Sequence, residues 1–303
     1  MQLPTPLERA PDVLSAGRAL FLKREDLHEL GAFKWRGALP AVFAYGKRGA
    51  AVVVTASTGN HGAAAAWAAA RAGMRAIVYV PEGASRTKLE FLAAQGAEAR
   101  EEGADLDEAK ERGKAFAGGS GFAFFEDGAD PEQLGGYAAI GEEIVSQSEE
   151  PAGTVVVPLG NGALLAGVGQ AIRSQSPSTA VVGVASSASP VMGLAFRAGR
   201  AVPCGIQGTF ADGLAVRVAI PSAVDRILRV ADEVRLVSER EIAQAVGAYA
   251  SAGIRAEGAA AAALALYAKS ADLAQPVVLL VTGRNIDEAL HRRAVEDPGS
   301  FAG

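Results

Sequence analysis

The sequence contains little of what several protein classes require. It has one cysteine, Cys204, and three histidines among 303 residues. A single cysteine forms neither an intrachain disulfide nor a cysteine-based metal cluster, and three histidines are too few for a histidine-rich metal site. We therefore expect Cys204 to be a small buried packing residue.

Basic charge and long apolar runs are also scarce. The formal net charge is -5, which gives no basic surface for nucleic acids or anionic membranes. The most apolar stretches, 259–265 and 277–281, are far shorter than the roughly 18 to 20 residues of a membrane span. The N-terminal segment has neither the basic nor the apolar region of a secretion signal. We expect a cytoplasmic protein that binds neither nucleic acids nor membranes.

Aromatic residues make up only 6% of the chain, whereas it has 36 glycines and long alanine runs. Short β-branched stretches alternate with alanine-rich ones. The candidate strands are AVVVT from Ala51, AIVYV from Ala76, FAFF from Phe122, TVVVP from Thr154, AVVGVA from Ala180, EVRLV from Glu233 and PVVLLV from Pro276. Strands this apolar are typical of sheets covered on both faces, so the pattern predicts an α/β fold with mostly parallel sheets.

Three further features refine this organisation. The alanine runs 63–70 and 259–265 predict closely packed helices. Ser238 and Glu241 have the spacing of a capping box at a helix start. The polar stretch 147–153 is a candidate boundary between two lobes.

Three glycine-bearing loops follow strand candidates: ASTGNHG (56–62), LGNGALLAG (159–167) and TGRN (282–285). Ligands bind at the carboxyl ends of parallel strands, and a helix N-terminus there attracts anions through its N–H groups and dipole. Leu165 stands at the third glycine position of G-x-G-x-x-G, and no Walker, G-x-S-x-G or H-E-x-x-H motif occurs. The loops therefore indicate an anion site but favour neither a dinucleotide, a P-loop nor a hydrolase function.

Lys34 lies between Phe33 and Trp35 in an otherwise apolar neighbourhood. Two interpretations stay open from the residues alone. It is a surface lysine at the start of a helix, or a desolvated amine suited to forming a Schiff base.

The Lys34 segment and the three loops together resemble one enzyme family. GAFKWRGA (31–38) is similar to the S-F-K-x-R-G-A motif of the pyridoxal-phosphate (PLP) fold-type II enzymes, the tryptophan-synthase-β-like group with threonine/serine dehydratases and serine racemase. ASTGNHG resembles S-S-G-N-H-G, VPLGNGALLAG resembles V-P-x-G-G-G-G-L-x-A-G, and VTGRNID resembles S-G-G-N-x-D. Order and spacing agree, and TPL, KREDL, TFADGLAV and AEGAAAAALA extend the resemblance over nearly the whole chain.

The resemblance implies two three-layer α/β/α lobes with mostly parallel sheets and the cofactor in the cleft between them. It assigns residues 1–50 plus 131–303 to a large cofactor-binding domain and 51–130 to a small substrate-side domain. It also implies a homodimer.

The resemblance further implies roles for individual residues. Lys34 would carry PLP as a Schiff base and move the Cα proton of the substrate. The other cofactor contacts would be Asn60 at the 3'-oxygen, Gly160, Asn161, Gly162, Ala163 and Leu164 at the phosphate, and Thr282 at the pyridine nitrogen. The substrate carboxylate site would comprise Ser57, Thr58, Gly59, Asn60 and His61, with His61 as a structural hydrogen-bonding residue. For Arg36 and Glu257, which lie in family motifs, structural and catalytic roles both stay open.

The expected reaction is β-elimination. A neutral hydroxyl at Thr282 does not enforce a protonated pyridine, which weakens the electron sink and favours elimination over transamination. We expect a PLP-dependent ammonia-lyase that converts threonine or serine to a 2-oxo acid and ammonia. The alternatives are a threonine-synthase-like or β-replacement transferase, an amino-acid racemase, and a non-catalytic amino-acid- or nucleotide-binding paralogue. Retention of Lys34 with Asn60 and Thr282 argues against the last.

Four positions depart from the family motifs. Ala32 replaces the serine before Phe-Lys, and Asn161 replaces a glycine, as in threonine synthases. Thr58 stands where racemases of the family carry a serine that acts as acid and base. The threonine therefore favours a dehydratase over a racemase as the function. Arg284 replaces a glycine beside Thr282, and its charge would help to select an acidic substrate.

Two expected absences complete the prediction. Metal-dependent relatives use a V-E-x-x-x-A-x-D segment, but this chain has VASSASPV with Ala185 and Val191 at the carboxylate positions, so we expect no metal site. The chain ends soon after TGRNID, so we expect no C-terminal regulatory domain and no feedback control of that kind.

Overall fold

The structure, a computed structural model, describes residues 4–205 and 208–303. Its strands are β1 Leu7–Arg9, β2 Leu20–Arg24, β3 Val52–Ala56, β4 Arg75–Val80, β5 Ala97–Glu101, β6 Ala123–Phe124, β7 Thr154–Pro158, β8 Ala180–Ser186, β9 Glu233–Val237 and β10 Val277–Val281. Its helices are α1 Asp12–Ser15, α2 Trp35–Lys47, α3 Asn60–Arg71, α4 Arg86–Ala93, α5 Leu106–Ser120, α6 Pro131–Gln147, α7 Ala163–Gln175, α8 Val191–Ala198, α9 Pro221–Leu228, α10 Glu239–Ser251, α11 Gly258–Lys269 and α12 Glu288–Glu296.

The chain divides into two compact units. The smaller unit is Lys34–Gly136, and the larger unit comprises Met1–Phe33 and Tyr137–Gly303. Helix α2 belongs to the smaller unit because it packs extensively against α3. The assignment of cofactor-binding and substrate-side roles to parts of the chain stays a prediction.

The larger unit contains a six-stranded sheet in the order β1-β2-β10-β7-β8-β9, in which only the edge pair β1–β2 is antiparallel. On one face, Leu22, Val182 and Leu279 pack with α10 and α11 in the main core. On the other face, Gly183 lies so close to Leu165 of α7 that an added Cβ would come within 2.9 Å of it. The sheet is therefore covered on both sides, as its apolar strands predict.

The smaller unit contains a four-stranded parallel sheet in the order β5-β4-β3-β6. Val54 and Tyr79 pack against α5 on one face. Val78 and Val80 pack against α3 and α4 on the other. Each unit thus has three layers, and the predicted α/β architecture with mostly parallel sheets is confirmed.

Several local predictions are also confirmed. All seven candidate strands occur, with ends that differ by at most one residue from those predicted. Both alanine runs lie in helices, α3 and α11, and are buried except for Ala70. Ser238 and Glu241 form the predicted capping box at the start of α10.

Two predictions from the sequence are wrong. The stretch 147–153 is not a boundary, because residues on both sides belong to the larger unit and Gly153 hydrogen-bonds to Pro276 and Ala180 beside the sheet. Cys204 is not a buried packing residue: it is partly exposed in a segment after α8 that is neither helix nor strand, and its thiol donates to the Gly205 carbonyl. In the part of the chain that the structure describes, no helix is long and apolar enough to cross a membrane.

Candidate active site

Lys34 stands at the N-terminal boundary of α2 in the smaller unit. Its side chain is only 17% exposed, and its Nζ lies 2.5 Å from Oδ2 of Asp127. The lysine is therefore at a helix start, as one interpretation had it, but it is not a surface lysine. It is a largely buried amine that faces a carboxylate.

Asp127 reaches Lys34 because of the order of the strands. The short strand β6 pairs in parallel with β3, so the segments that follow both strands leave the same edge of the sheet. Besides Lys34, the carboxylate accepts a hydrogen bond from Nε2 of Gln133 at 2.8 Å, and Nδ1 of His61 lies 3.6 Å away. Burial alone would raise the pKa of Asp127, but the positive charge of Lys34 and the hydrogen bonds from Lys34 and Gln133 hold it well below its usual value.

Asp127 was not identified by the motifs. The available signal was its position just after the FAFF strand candidate, at the end where ligands bind in parallel sheets. Nothing in the sequence indicated that β6 would lie next to β3 rather than elsewhere in the sheet.

The loop Ser57, Thr58, Gly59 joins β3 to α3, and Asn60 is the first residue of that helix. Its fold is fixed by a hydrogen bond from the Gly59 N–H to Oγ of Ser57 and by one from the Ser57 N–H to the Tyr79 carbonyl. No side chain caps the helix at Gly59. The first turn of α3 therefore presents N–H groups and the positive end of a helix dipole, which suits a carboxylate.

His61, the residue after Asn60, is held by Thr55 and Phe125. Its Nε2 lies 3.0 Å from Oγ1 of Thr55, whose hydroxyl donates to the Phe125 carbonyl, and its ring packs on Phe125 at 4.6 Å. The side chain is buried, and this burial lowers its pKa despite the opposing effect of Asp127. A neutral histidine held in this way fits the structural role that was expected for it.

In the larger unit, the loop Gly160, Asn161, Gly162 joins β7 to α7, which begins with Ala163 and Leu164. Gly162 has a φ of +95°, a conformation that favours glycine, and Oδ1 of Asn161 accepts the N–H of Ala163. The asparagine thus already occupies one of the N–H groups expected for a phosphate. The other N–H groups of the predicted set surround the start of a 13-residue helix.

Thr282 follows β10, the strand next to β7, so its loop and the Gly160–Leu164 loop leave the same edge of the larger sheet. Thr282 is 1% exposed. Its carbonyl accepts the N–H of Phe33, and the Arg284 N–H donates to the Gly31 carbonyl. The loop after β10 is therefore tied to the segment that precedes Lys34 in sequence.

Arg36 and Glu257 are both buried side chains. Arg36 stacks on the ring of Trp35 at 4.7 Å, within the smaller unit. Glu257 precedes α11 in the larger unit, where a Cβ on Gly283 would meet its carboxylate at 2.7 Å. Both contacts are typical of residues that hold a fold in place.

The described residues supply the donor types that PLP requires. PLP calls for an amine at its aldehyde, N–H donors at its phosphate and a polar group at its pyridine nitrogen. Lys34 has a largely buried amine, the start of α7 has N–H groups, and Thr282 has a buried hydroxyl. Lys34 and residues 57–61 belong to the smaller unit, whereas residues 160–164 and Thr282 belong to the larger one. The donor set fits the cofactor.

Comparison with known proteins identifies a family that uses the same cofactor. The family described as "Pyridoxal-phosphate dependent enzyme" matches residues 1–283. The chain is 34% identical to an L-threonine ammonia-lyase of Geobacter sulfurreducens and to one of Thermotoga maritima, in each case over 89% of this chain and 68% of the relative. A solved structure of the processed form of threonine deaminase isoform 2 from Solanum lycopersicum superposes with a TM-score of 0.91 at 26% identity, covering 99% of this chain and 89% of that one. The chain thus belongs to the pyridoxal-phosphate dependent enzymes, with a fold-type II architecture.

Proposed function

We propose that this enzyme is an ammonia-lyase that converts threonine or serine to a 2-oxo acid and ammonia. The observation that carries the proposal is the similarity to two L-threonine ammonia-lyases over nearly nine-tenths of the chain. The neutral hydroxyl of Thr282 at the pyridine position supports it, since a carboxylate there would favour longer-lived carbanions.

The proposal gives each group a task. PLP, when bound, supplies the electron-withdrawing ring that makes the Cα–H bond of the substrate acidic. Lys34 would hold the cofactor covalently through Nζ and would take the Cα proton of the substrate. The N-terminus of α3, with Ser57, Thr58 and Asn60, binds the substrate carboxylate and fixes which Cα bond breaks. Asn60 orients the ring, and the Gly160–Leu164 loop binds the phosphate.

The test is an assay of the purified, PLP-loaded enzyme with threonine or serine alone. We expect equal amounts of 2-oxo acid and ammonia. A 2-oxo acid that forms only with a second substrate would replace the proposal with a transferase. Inversion at Cα without release of ammonia would replace it with a racemase. A homodimer, which the family resemblance implies, and a cytoplasmic location belong to the same proposal.

Arg284 supports a narrower substrate prediction. It lies two residues after Thr282, and among residues 4–205 and 208–303 its guanidinium forms no ion pair. A charged hydrogen bond contributes about 1.5–3 kcal/mol, so a carboxylate on the substrate β-carbon would gain roughly 10- to 100-fold in kcat/KM from it. Arg284→Gly should therefore lower the ratio of kcat/KM for 3-hydroxyaspartate to that for threonine by about this factor.

Arg284→Lys is the matched control, because it keeps the charge but not the planar guanidinium. It should retain part of the preference for 3-hydroxyaspartate. If the ratio is the same in the wild type and in Arg284→Gly, the arginine does not select the substrate, and threonine or serine stays the expected substrate.

A further inference from the structure

Asp127 is a charged residue that the proposed reaction does not use. Its side chain is 28% exposed, and it contacts the one amine on which the proposed reaction depends. Lys34 Nζ and Asp127 Oδ2 lie 2.5 Å apart, in direct contact as a hydrogen-bonded ion pair.

The carboxylate is held in place independently of Lys34. Nε2 of Gln133 donates to Oδ1 at 2.8 Å, and Oε1 of the same amide accepts the N–H of Gly128, the residue after Asp127. Gln133 is completely buried in the first turns of α6. Oδ2 therefore points at Lys34 because a fixed amide holds the other oxygen.

His61 does not replace Lys34 as the counter-charge. Its Nε2 faces the hydroxyl oxygen of Thr55, and that hydroxyl donates its own hydrogen to the Phe125 carbonyl. Nε2 must then carry the hydrogen, which leaves none on Nδ1 of a neutral ring, and burial lowers the pKa of His61. The nearest Nδ1 to carboxylate distance is 3.6 Å, beyond a hydrogen bond. Lys34 is thus the cation that balances Asp127.

We propose that Asp127 is a positioning residue for Lys34. Its carboxylate orients Nζ and pairs with the ammonium form of the lysine whenever the lysine is not bound to the cofactor. This rests on the proposed function, in which Lys34 takes a proton. In that step the Cα–H bond breaks, its electron pair stays with the substrate, and a new N–H bond forms on Nζ. Asp127 takes up no proton and serves as the counter-charge.

The first test uses the enzyme freed of cofactor and measures how fast Lys34 is acylated by acetic anhydride near neutral pH, with mass spectrometry of the Lys34 peptide. Only the unprotonated amine reacts. In Asp127→Asn the ammonium loses its counter-charge, and we expect acylation at Lys34 to be about tenfold faster. Asp130→Asn is the control, because it makes the same charge change three residues away, where the carboxylate binds the Tyr45 hydroxyl. It should leave the rate at Lys34 unchanged.

A second measurement does not require an Asp127 variant to fold. A carboxyl-detected NMR titration of Asp127 in Lys34→Met should show its pKa raised from the wild-type value, because the cation that lowers it is gone. An unchanged Asp127 titration, or an unchanged acylation rate in folded Asp127→Asn, would overturn the proposal.

The kinetic consequence separates this inference from the proposed function. With the loaded enzyme, Asp127→Asn should lower kcat about tenfold with little change in KM and enlarge the isotope effect of Cα-deuterated substrate, while Asp127→Glu should recover part of kcat. A wild-type enzyme that forms no 2-oxo acid would refute the proposed function alone. Equal isotope effects in the wild type and Asp127→Asn would contradict the role of Asp127 alone.

Discussion

Lys34→Ala should lower the formation of 2-oxo acid from threonine or serine by about 10⁴-fold, the upper range for loss of one positioned acid/base group. It should also remove the visible absorption band of the enzyme-bound cofactor. The reason is that the chain would lose both the amine that holds PLP covalently and the base that takes the Cα proton. The absorption band and the rate of 2-oxo acid formation are therefore expected to be lost together.

The control is Lys47→Ala, at an exposed lysine in the last turn of the same helix, which should keep the band and the rate. Borohydride reduction of the loaded wild type, followed by peptide mapping, should place the cofactor on the peptide that contains Lys34. A cofactor attached to another lysine, or a Lys34→Ala enzyme that keeps its band, would show that the site has been assigned to the wrong amine.

The loops of the site were predictable because each is a local feature. A strand of β-branched residues followed by glycine and a helix is visible in the sequence, and β3, β7 and β10 each end in such a loop. The pairing of β10 with β7 then brings two of the loops to one sheet edge. Residues whose role depends only on their own loop were thus identifiable.

Asp127 was missed because its role depends on a pairing that no local pattern contains. The contact with Lys34 requires a two-residue strand, β6, to pair with β3, and the paired residues Val53 and Ala123 lie 70 positions apart in the chain. So short a strand carries little hydrophobic periodicity. The carboxylate alone is indistinguishable from the solvated acidic residues around it.

Strands β2 and β5 were missed for a different reason, which is polarity. Strand β2 contains Lys23, whose side chain is completely buried because its Nζ reaches Glu143 at 2.6 Å and the Thr5 carbonyl. Strand β5, AEARE, is an edge strand with partly exposed side chains. Hydropathy recognises neither a buried lysine with partners nor a half-solvated edge.

The second large effect expected is that of Gly160→Ala, in the loop assigned to the phosphate. A Cβ at this position would lie 2.3 Å from the carbonyl oxygen of Gly213, in the 3₁₀ turn Asp212–Leu214. Backbone cannot move aside as a flexible side chain can, so either the loop or the turn must shift. Overpacking of this kind costs about 1–3 kcal/mol. We expect a lower unfolding temperature and, because the loop N–H groups move, PLP binding weakened about tenfold.

The matched control is Gly247→Ala, in α10 of the same unit. Its added Cβ would meet nothing closer than 3.8 Å, and alanine is favoured over glycine inside a helix by roughly 0.5–1 kcal/mol, so this variant should be more stable than the wild type. Thermal unfolding and a titration with PLP measure both variants. The two stability changes are expected to have opposite signs. A general intolerance to alanine would instead lower the stability of both variants. If Gly160→Ala instead kept wild-type stability and affinity, the loop would not be pressed against Gly213, and close packing could not be what fixes its N–H groups for a phosphate.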